Sequence, residues 1–158
     1  MPSGVVKELM PASAEEVFDL IHDYDRRLEW DTLLREAYVE PPFEHAGVGT
    51  VTMCRGRWLI GGISMQTVYV SFERGKVAAV RLTNRPLLFE TFAASIRHFD
   101  RDNGTSQVIY KFKFEVRPVI LKPLLEPLML FFLKIETRKR LVSLKDFLGS
   151  SRFRPKVI

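Results

Sequence analysis

Cysteine is nearly absent from this sequence, and its scarcity restricts the chemistry available to the chain. Cys54 is the only cysteine among 158 residues. A single thiol excludes an intrachain disulfide framework and any metal site built from several cysteines. Such cysteine usage is typical of proteins in reducing compartments. We therefore expect a cytoplasmic protein.

The sequence also lacks the hydrophobic segments that direct chains into or across membranes. Its first residues, MPSGVVKELMPAS, contain neither the basic n-region nor the long apolar h-region of a signal peptide. The most apolar run, residues 124–133, is interrupted by Glu126 and Pro127. It is far shorter than the roughly 20 residues that a transmembrane helix needs. Neither a signal peptide nor a membrane span is predicted.

Catalytic and metal-binding motifs are equally scarce. His22, Asp23 and Asp25 are close in sequence but lack a ligand spacing such as HExxH, and His45 lies far along the chain. The sequence contains no GxSxG motif and no glycine-rich phosphate loop. These patterns predict no metal, no cofactor and no covalent catalysis.

The longest patterned stretch, residues 122–148, predicts a helix. It is rich in strong helix formers and too long for a strand. Pro123 suits the first helical turn, and Gly149 suits the end of the helix. The residues with the spacing of one apolar helical face are Leu124, Leu128, Phe131, Ile135 and Val142.

The preceding residues read as a short first strand, two short helices and about six antiparallel strands. Ser13 and Glu16 form a capping box for a helix over residues 14–22, and a second short helix or turn follows over residues 24–34. The strands are predicted at residues 35–40, 49–55, 63–73, 76–83, 88–99 and around 110–116. Asp102-Asn103-Gly104 predicts a tight hairpin. The fold class is therefore α+β, with a strongly curved antiparallel sheet wrapped around the long C-terminal helix.

This element order, together with PASAEEVFDLIHDYDRRLEWDTLL at residues 11–34, resembles the START-like, Bet v 1-like (SRPBCC) superfamily with its helix-grip fold. Within it, the sequence is most similar to the polyketide cyclase/dehydrase and lipid-transport branch. The resemblance implies a single domain over residues 1–150, followed by a basic tail at 151–158. It also implies a hydrophobic cavity between the sheet and the long helix.

The apolar residues expected to line that cavity are bulky, although they would equally suit a solid core. His98 and Tyr110 are the polar candidates on the inward face. The residues predicted from the strands are Met53, Val68, Val70, Phe72, Phe92, Ile96, His98, Tyr110, Phe112 and Phe114. Those predicted from the helix are Leu128, Phe132 and Ile135, with Trp30 and Trp58 near an entrance.

Three functions fit these patterns. The first is a carrier or sequestering protein for a lipid, an isoprenoid or quinone, or an aromatic ligand. The second is a polyketide cyclase/aromatase or dehydratase, in which Tyr110, His98 or Arg57 would shuttle protons. The third is a protein-interaction module that uses the apolar face of the helix. A fold of this kind does not by itself decide between enzyme and carrier.

Positive charge is concentrated at the C-terminal end of the chain. The net charge of the whole sequence is +5, and from Lys134 onward eight Lys or Arg and two acids sum to +6. These cations form either a solvated helix end or a patch for an anionic membrane surface. No recognisable nucleic-acid reader motif accompanies them, so nucleic acid is not an expected partner.

Overall fold

The computed structural model describes residues 1–57 and 63–150. The strands are β1 Ser3–Met10, β2 Leu34–Val39, β3 Val51–Gly56, β4 Ser64–Glu73, β5 Val77–Leu82, β6 Phe89–Asp100 and β7 Ser106–Val116. The helices are α1 Ala14–Ile21, α2 Arg27–Trp30 and α3 Lys122–Leu148, with 3-10 turns at Asp102–Gly104 and Val119–Leu121. None of the helices in these ranges combines the length and the apolarity that crossing a bilayer requires.

The strands form one antiparallel sheet in the order β1-β7-β6-β5-β4-β3-β2. Consecutive strands from β2 to β7 pair as neighbours because short connections join them. The first strand joins the far edge by pairing with β7. The sheet curls into a half-barrel that holds α3, which confirms the predicted α+β helix-grip fold.

The cap of α1 and the turn between β6 and β7 lie where local sequence patterns predict them. The Ser13 hydroxyl accepts a hydrogen bond from the Glu16 backbone N–H at 3.2 Å and so caps α1. Asn103 and Gly104 both have positive φ, which the predicted tight turn between β6 and β7 requires. The second helix is shorter than predicted, because the backbone is already extended at Asp31.

The buried face of α3 is opposite to the predicted one. Leu124 and Phe131, from the predicted face, are 70% and 66% exposed. The first half of the helix is apolar on both sides, so helical spacing alone does not identify the side that packs. The residues buried on α3 are Thr137, Leu141, Leu144, Phe147 and Leu148.

Two clusters of buried side chains make up the core. The first joins β1, α1 and the second half of α3, and it includes Met10, Phe18 and Leu144. The second joins the aromatic residues of β6 and β7 to the first half of α3. Here Gly4 of β1 lies opposite Phe112, and a Cβ at that position would come within 2.8 Å of Cε1 of the phenyl ring.

Candidate functional site

Most of the aromatic residues predicted to face the helix do lie on the concave side of the sheet. Phe92 pairs with Phe114 and Ile96 pairs with Tyr110, so each pair shares a face. Those inward residues are Phe72, Phe92, Ile96, His98, Tyr110, Phe112 and Phe114. Their inward placement agrees with the sequence prediction, whereas their role in ligand binding stays a prediction.

Three predicted pocket residues, Met53, Val68 and Val70, do not face the helix. Val68 pairs with Arg81 and shares the outer face, and Met53 lies on that face through its pairing with Gln66. The register of β4 shifts between Tyr69 and Ser71, which leaves Val70 in a bulge and half exposed. A bulge reverses the alternation of side chains. The face predicted for Val68 and Val70 from the position of Phe72 was therefore wrong.

The helix residues predicted to line the pocket do not lie there either. Leu128, Phe132 and Ile135 are exposed on α3, whereas the helix residues that pack on the second cluster are Leu125, Met129, Leu130 and Leu133. Trp30 was expected near an entrance but is 4% exposed in the first cluster. Trp58 lies outside the described residues.

The concave face is not filled by its own side chains. Phe92 and Tyr110 point inward but are only partly buried, as are Val80 and Leu82 on the neighbouring strand. Met129 and Leu133 of α3, which pack on the same cluster, are partly buried as well. A solid core would bury such side chains almost completely. The sheet and the first half of α3 therefore leave part of their apolar surface accessible.

A chain of polar side chains lies on the same face of the sheet, where Tyr69 pairs with Val80. His22 Nδ1 is 2.7 Å from the hydroxyl of Tyr69, and that hydroxyl is 3.1 Å from the hydroxyl of Tyr24. The Tyr24 hydroxyl donates to Thr52 Oγ1 at 3.5 Å, and Thr52 is 3.0 Å from Thr67 Oγ1. The chain links α1, β3 and β4 through hydroxyl and imidazole groups.

These groups are neutral at neutral pH. Burial raises the pKa of Tyr69 well above its usual value, and the neighbouring phenol of Tyr24 adds to the rise. Burial likewise raises the pKa of Tyr24. For His22, burial and then the positive charge of Arg27 lower the pKa well below its usual value. The chain is therefore suited to hydrogen bonding with a carbonyl or hydroxyl group rather than to holding a charge.

A buried ionic triad ties α2 to α3 beside this polar chain. Arg27 Nε donates to Asp31 Oδ2 at 2.9 Å, and Arg140 donates to both carboxylate oxygens at 3.0 and 2.8 Å. Burial alone would raise the pKa of Asp31, but the charges of Arg140 and Arg27 outweigh it and hold that pKa at about 2. All three side chains are therefore charged at neutral pH.

An open cleft of about 490 Å³ leads from the surface to the polar chain. Phe18, His22, Tyr24 and Phe72 line its inner part. The residues of its rim include Asp23, Asp25, Tyr38, Phe43, Glu44 and His45. No group of three His, Cys, Asp or Glu within residues 1–57 and 63–150 has the arrangement to hold a metal ion.

Sequence reasoning missed the polar chain and the triad. It singled out Tyr110, His98 and Arg57 instead, and Arg57 is exposed with its backbone N–H bound to Leu33. His98 is buried with neither ring nitrogen hydrogen-bonded, and burial lowers its pKa to about 4. The available signal was the density of polar residues in HDYDRRLEWD, whose Arg27 and Asp31 are one helical turn apart.

Comparisons with known proteins agree with this architecture. The Thermus thermophilus protein TTHA0849 has a similar structure, with a TM-score of 0.78 at 13% identity over 94% of this chain and 97% of its own. The Zhui aromatase/cyclase from Streptomyces sp. R1128 has a TM-score of 0.77 at 12% identity over 94% and 93%. A START superfamily protein from Mycobacterium smegmatis has a TM-score of 0.63 at 11% identity over 89% and 98%.

The sequence itself matches one family model, whereas no curated protein matches the sequence. The model described as "Polyketide cyclase / dehydrase and lipid transport" matches residues 1–149, nearly the whole chain. The chain therefore belongs to the polyketide cyclase / dehydrase and lipid transport family.

Proposed function

We propose that this protein is a carrier that binds a hydrophobic or amphipathic small molecule between the concave sheet and the first half of α3. The observation that carries the proposal is the partial burial of Phe92, Tyr110, Met129 and Leu133, which lie on the sheet and on α3 around the second core cluster. Covering such apolar surface is favourable by about 25 cal/mol per Å². The nearby polar chain offers the few placed polar groups that ligand pockets use to orient a ligand.

The first test is native mass spectrometry of freshly purified protein, followed by solvent extraction. We expect a mass above that of the chain and an extracted lipid, isoprenoid or aromatic compound. Protein that carries no ligand, and that binds none of a panel of fluorescent apolar probes, would contradict the proposal.

A pair of substitutions tests where the ligand lies. Val80→Phe adds a ring to the concave face, whereas Val68→Phe adds the same ring to the outer face of the adjacent strand. We expect at least tenfold weaker binding of an apolar probe to the first variant and unchanged binding to the second. Equal effects would place the ligand elsewhere.

A cyclase activity is the second candidate, supported by the polar chain of His22, Tyr69 and Tyr24. Neutral phenols and an imidazole beside an apolar space suit proton transfer during ring closure of a poly-β-keto chain. Tyr69→Phe should then abolish cyclised product, whereas Tyr38→Phe on the cleft rim should not. The same product pattern with and without protein would exclude this candidate.

We further propose that the carrier exchanges its ligand at an anionic membrane, through the apolar face of α3 that points away from the sheet. Leu124, Leu128 and Phe131 lie exposed on this outer face. The exposed cations Lys134, Arg138 and Lys139 flank it, and they complement an anionic lipid surface. Each such cation near the surface contributes about 1 kcal/mol.

Vesicle co-sedimentation tests this docking. We expect binding to phosphatidylcholine vesicles that contain phosphatidylserine, with weakening at high salt. Leu128→Ser with Phe131→Ser should remove it, whereas Val70→Ser, at a half-exposed apolar site on the sheet, should not. Loss of a dimer in the double variant, with no vesicle binding by the unchanged protein, would make the outer face a self-association surface instead.

A further inference from the structure

The ionic triad between α2 and α3 carries one more positive than negative charge. Arg27 and Arg140 both bind the single carboxylate of Asp31. Their side chains are only 11% and 15% exposed, and that of Asp31 is 0% exposed. Two guanidinium groups and one carboxylate leave a net charge of +1 in the interior.

No other carboxylate in the described part of the chain forms an ion pair with either arginine. Among the acidic residues near these arginines in sequence, Asp25 and Asp146 are exposed, and Asp23 accepts a hydrogen bond from the Asp25 backbone N–H. Glu29 pairs with Arg26, and Glu136 pairs with Lys139. Glu126 is half-buried near the start of α3, about 21 Å from Arg140 along the helix axis at ~1.5 Å per residue.

The unbalanced charge lies beside the ligand space. Burial raises the pKa of Cys54, and the charges of Arg27 and Arg140 act against that rise. Burial would lower the pKa of Arg140, but Asp31 and then Tyr110 raise it. Cys54 and Tyr110 are both partly buried residues of the concave face. The helix positions agree with this, because Arg140 follows Met129 and Leu133 by 11 and 7 residues and so lies on the same side of α3. The guanidinium carbon of Arg27 lies 5.5 Å from the centroid of the Tyr24 ring, which belongs to the polar chain.

A buried charge without a counter-ion is costly, and a ligand of opposite charge removes that cost. We propose that the interior binds the carboxylate of an amphipathic monoanion beside Arg27 and Arg140, with its apolar tail along the first half of α3. This proposal rests on the proposed carrier function and names its ligand class. A monoanion matches the single excess charge, whereas a phosphate monoester would overcompensate it. From Arg140 to Leu125 the helix offers about 22 Å for the tail.

The test compares hexadecanoic acid with its methyl ester and with hexadecylamine, measured by displacement of a fluorescent apolar probe at pH 7.5. We expect the acid to bind at least tenfold more tightly than the ester, and the amine to bind more weakly than the ester. Hexadecyl phosphate should not exceed the acid. Equal affinity for acid and ester, or tightest binding of the phosphate, would overturn the carboxylate assignment and leave the carrier function intact. Failure of every ligand to displace the probe would overturn both.

Two variants on the same helix separate the effect of the buried charge on ligand affinity from the effect of a surface charge. Arg140→Gln leaves Arg27 and Asp31 as a balanced pair, so the acid should lose its advantage over the ester by about tenfold while the ester binds as before. Arg138→Gln removes the same charge from an exposed site and should change neither affinity. An unchanged preference in Arg140→Gln would overturn the assignment.

Wild-type protein provides a measurement that does not depend on the variant folding. Below the pKa of the ligand's carboxyl group the acid becomes neutral, so its affinity should fall towards that of the ester as pH decreases from 7.5 to 4.5. The affinity for the ester should stay constant over this range. A parallel change for acid and ester would count against a bound carboxylate.

Discussion

The two halves of α3 differ in the distribution of their apolar residues and in how they are held. In the second half, Leu141, Leu144 and Phe147 are buried against β1 and α1, and the opposite side is polar. In the first half, apolar residues lie on both sides, and Leu124 and Phe131 on the outer side are among the most exposed residues of the helix. Burial therefore anchors the second half, whereas the first half keeps accessible apolar surface.

The burial around the second half of α3 also explains how the fold tolerates incompletely buried side chains next to the first half. Marginal stability requires only that enough apolar surface be buried somewhere. Here the first core cluster supplies much of that burial around Val17, Phe18 and Leu144, which are almost completely inaccessible. The sheet next to the first half of α3 can then stay partly uncovered without loss of the fold.

The prediction with the largest expected effect on stability tests the contrast between the two halves of α3 directly. Leu144→Ala removes a fully buried side chain and should lower the free energy of unfolding by about 2–5 kcal/mol. Leu128→Ala, on the outer side of the first half, should change it by less than about 0.5 kcal/mol. Urea unfolding of both variants provides the measurement. Similar losses would mean that the first half of α3 is anchored as firmly as the second.

The next prediction concerns His98, which is buried against Phe18 in the anchored region. Burial lowers its pKa to about 4 in the folded protein, so between pH 6.5 and 4 the unfolded chain binds a proton that the folded protein does not. Stability should therefore fall as pH decreases through this range, by up to roughly 3 kcal/mol. His98→Leu should reduce that fall in urea titrations at pH 7, 6 and 5.

Two other buried groups with shifted pKa values bear on the interpretation of this pH dependence. Asp31, with a lowered pKa of about 2, contributes stability above pH 4 that is lost only as pH falls further, so it does not interfere. His22 does contribute, because burial lowers its pKa as well and it loses stability in the same direction, so His98→Leu should leave part of the fall. An unaltered slope in His98→Leu would contradict the assignment, because His22 would then have to account for the whole fall.

The fold could be predicted from sequence because its signals are local. Alternating side chains, the Ser13 cap and the Asn103-Gly104 turn each depend on a few neighbouring residues, and the structure confirms them. The bulge in β4 has no comparable local pattern, so the prediction for Val68 and Val70 was wrong. The orientation of the first half of α3 was missed because both of its sides are apolar.

The candidate site was harder to predict because its polar groups meet only in the folded chain. Asp31 and Arg140 are 109 residues apart in sequence, and Tyr24 and Tyr69 are 45 apart. Nothing in a single sequence indicates that such residues pair. The aromatic residues of β6 and β7, by contrast, were placed correctly because regular alternation determines which face they occupy.

A smaller effect is expected where β1 meets the second core cluster. Gly4→Ala puts a methyl group against the ring of Phe112, which has little room to move because it is 3% exposed. Overpacking of this kind costs about 1–3 kcal/mol. Gly47→Ala is the matched control, since its nearest neighbour would be 3.8 Å away, and it should change stability by less than about 0.5 kcal/mol. Equal stability of the two variants in urea would show that Phe112 can move into the ligand space.

The smallest expected change is a gain from Pro127→Ala in the weakly anchored half of α3. Pro127 lies inside the helix, where its ring removes one backbone hydrogen bond to the preceding turn. Alanine restores that bond, but it also makes the unfolded chain more flexible, and the helix backbone is already adapted to the proline, so we expect a gain of only about 1 kcal/mol. Pro123→Ala is the control, because in the first turn the missing N–H would have no helical partner. Hydrogen exchange should show slower exchange of the amides near residue 127 only in the first variant. Destabilisation by Pro127→Ala would mean that the proline ring contributes packing that keeps this half of α3 against the sheet, and the contrast between the two halves would be smaller than we infer.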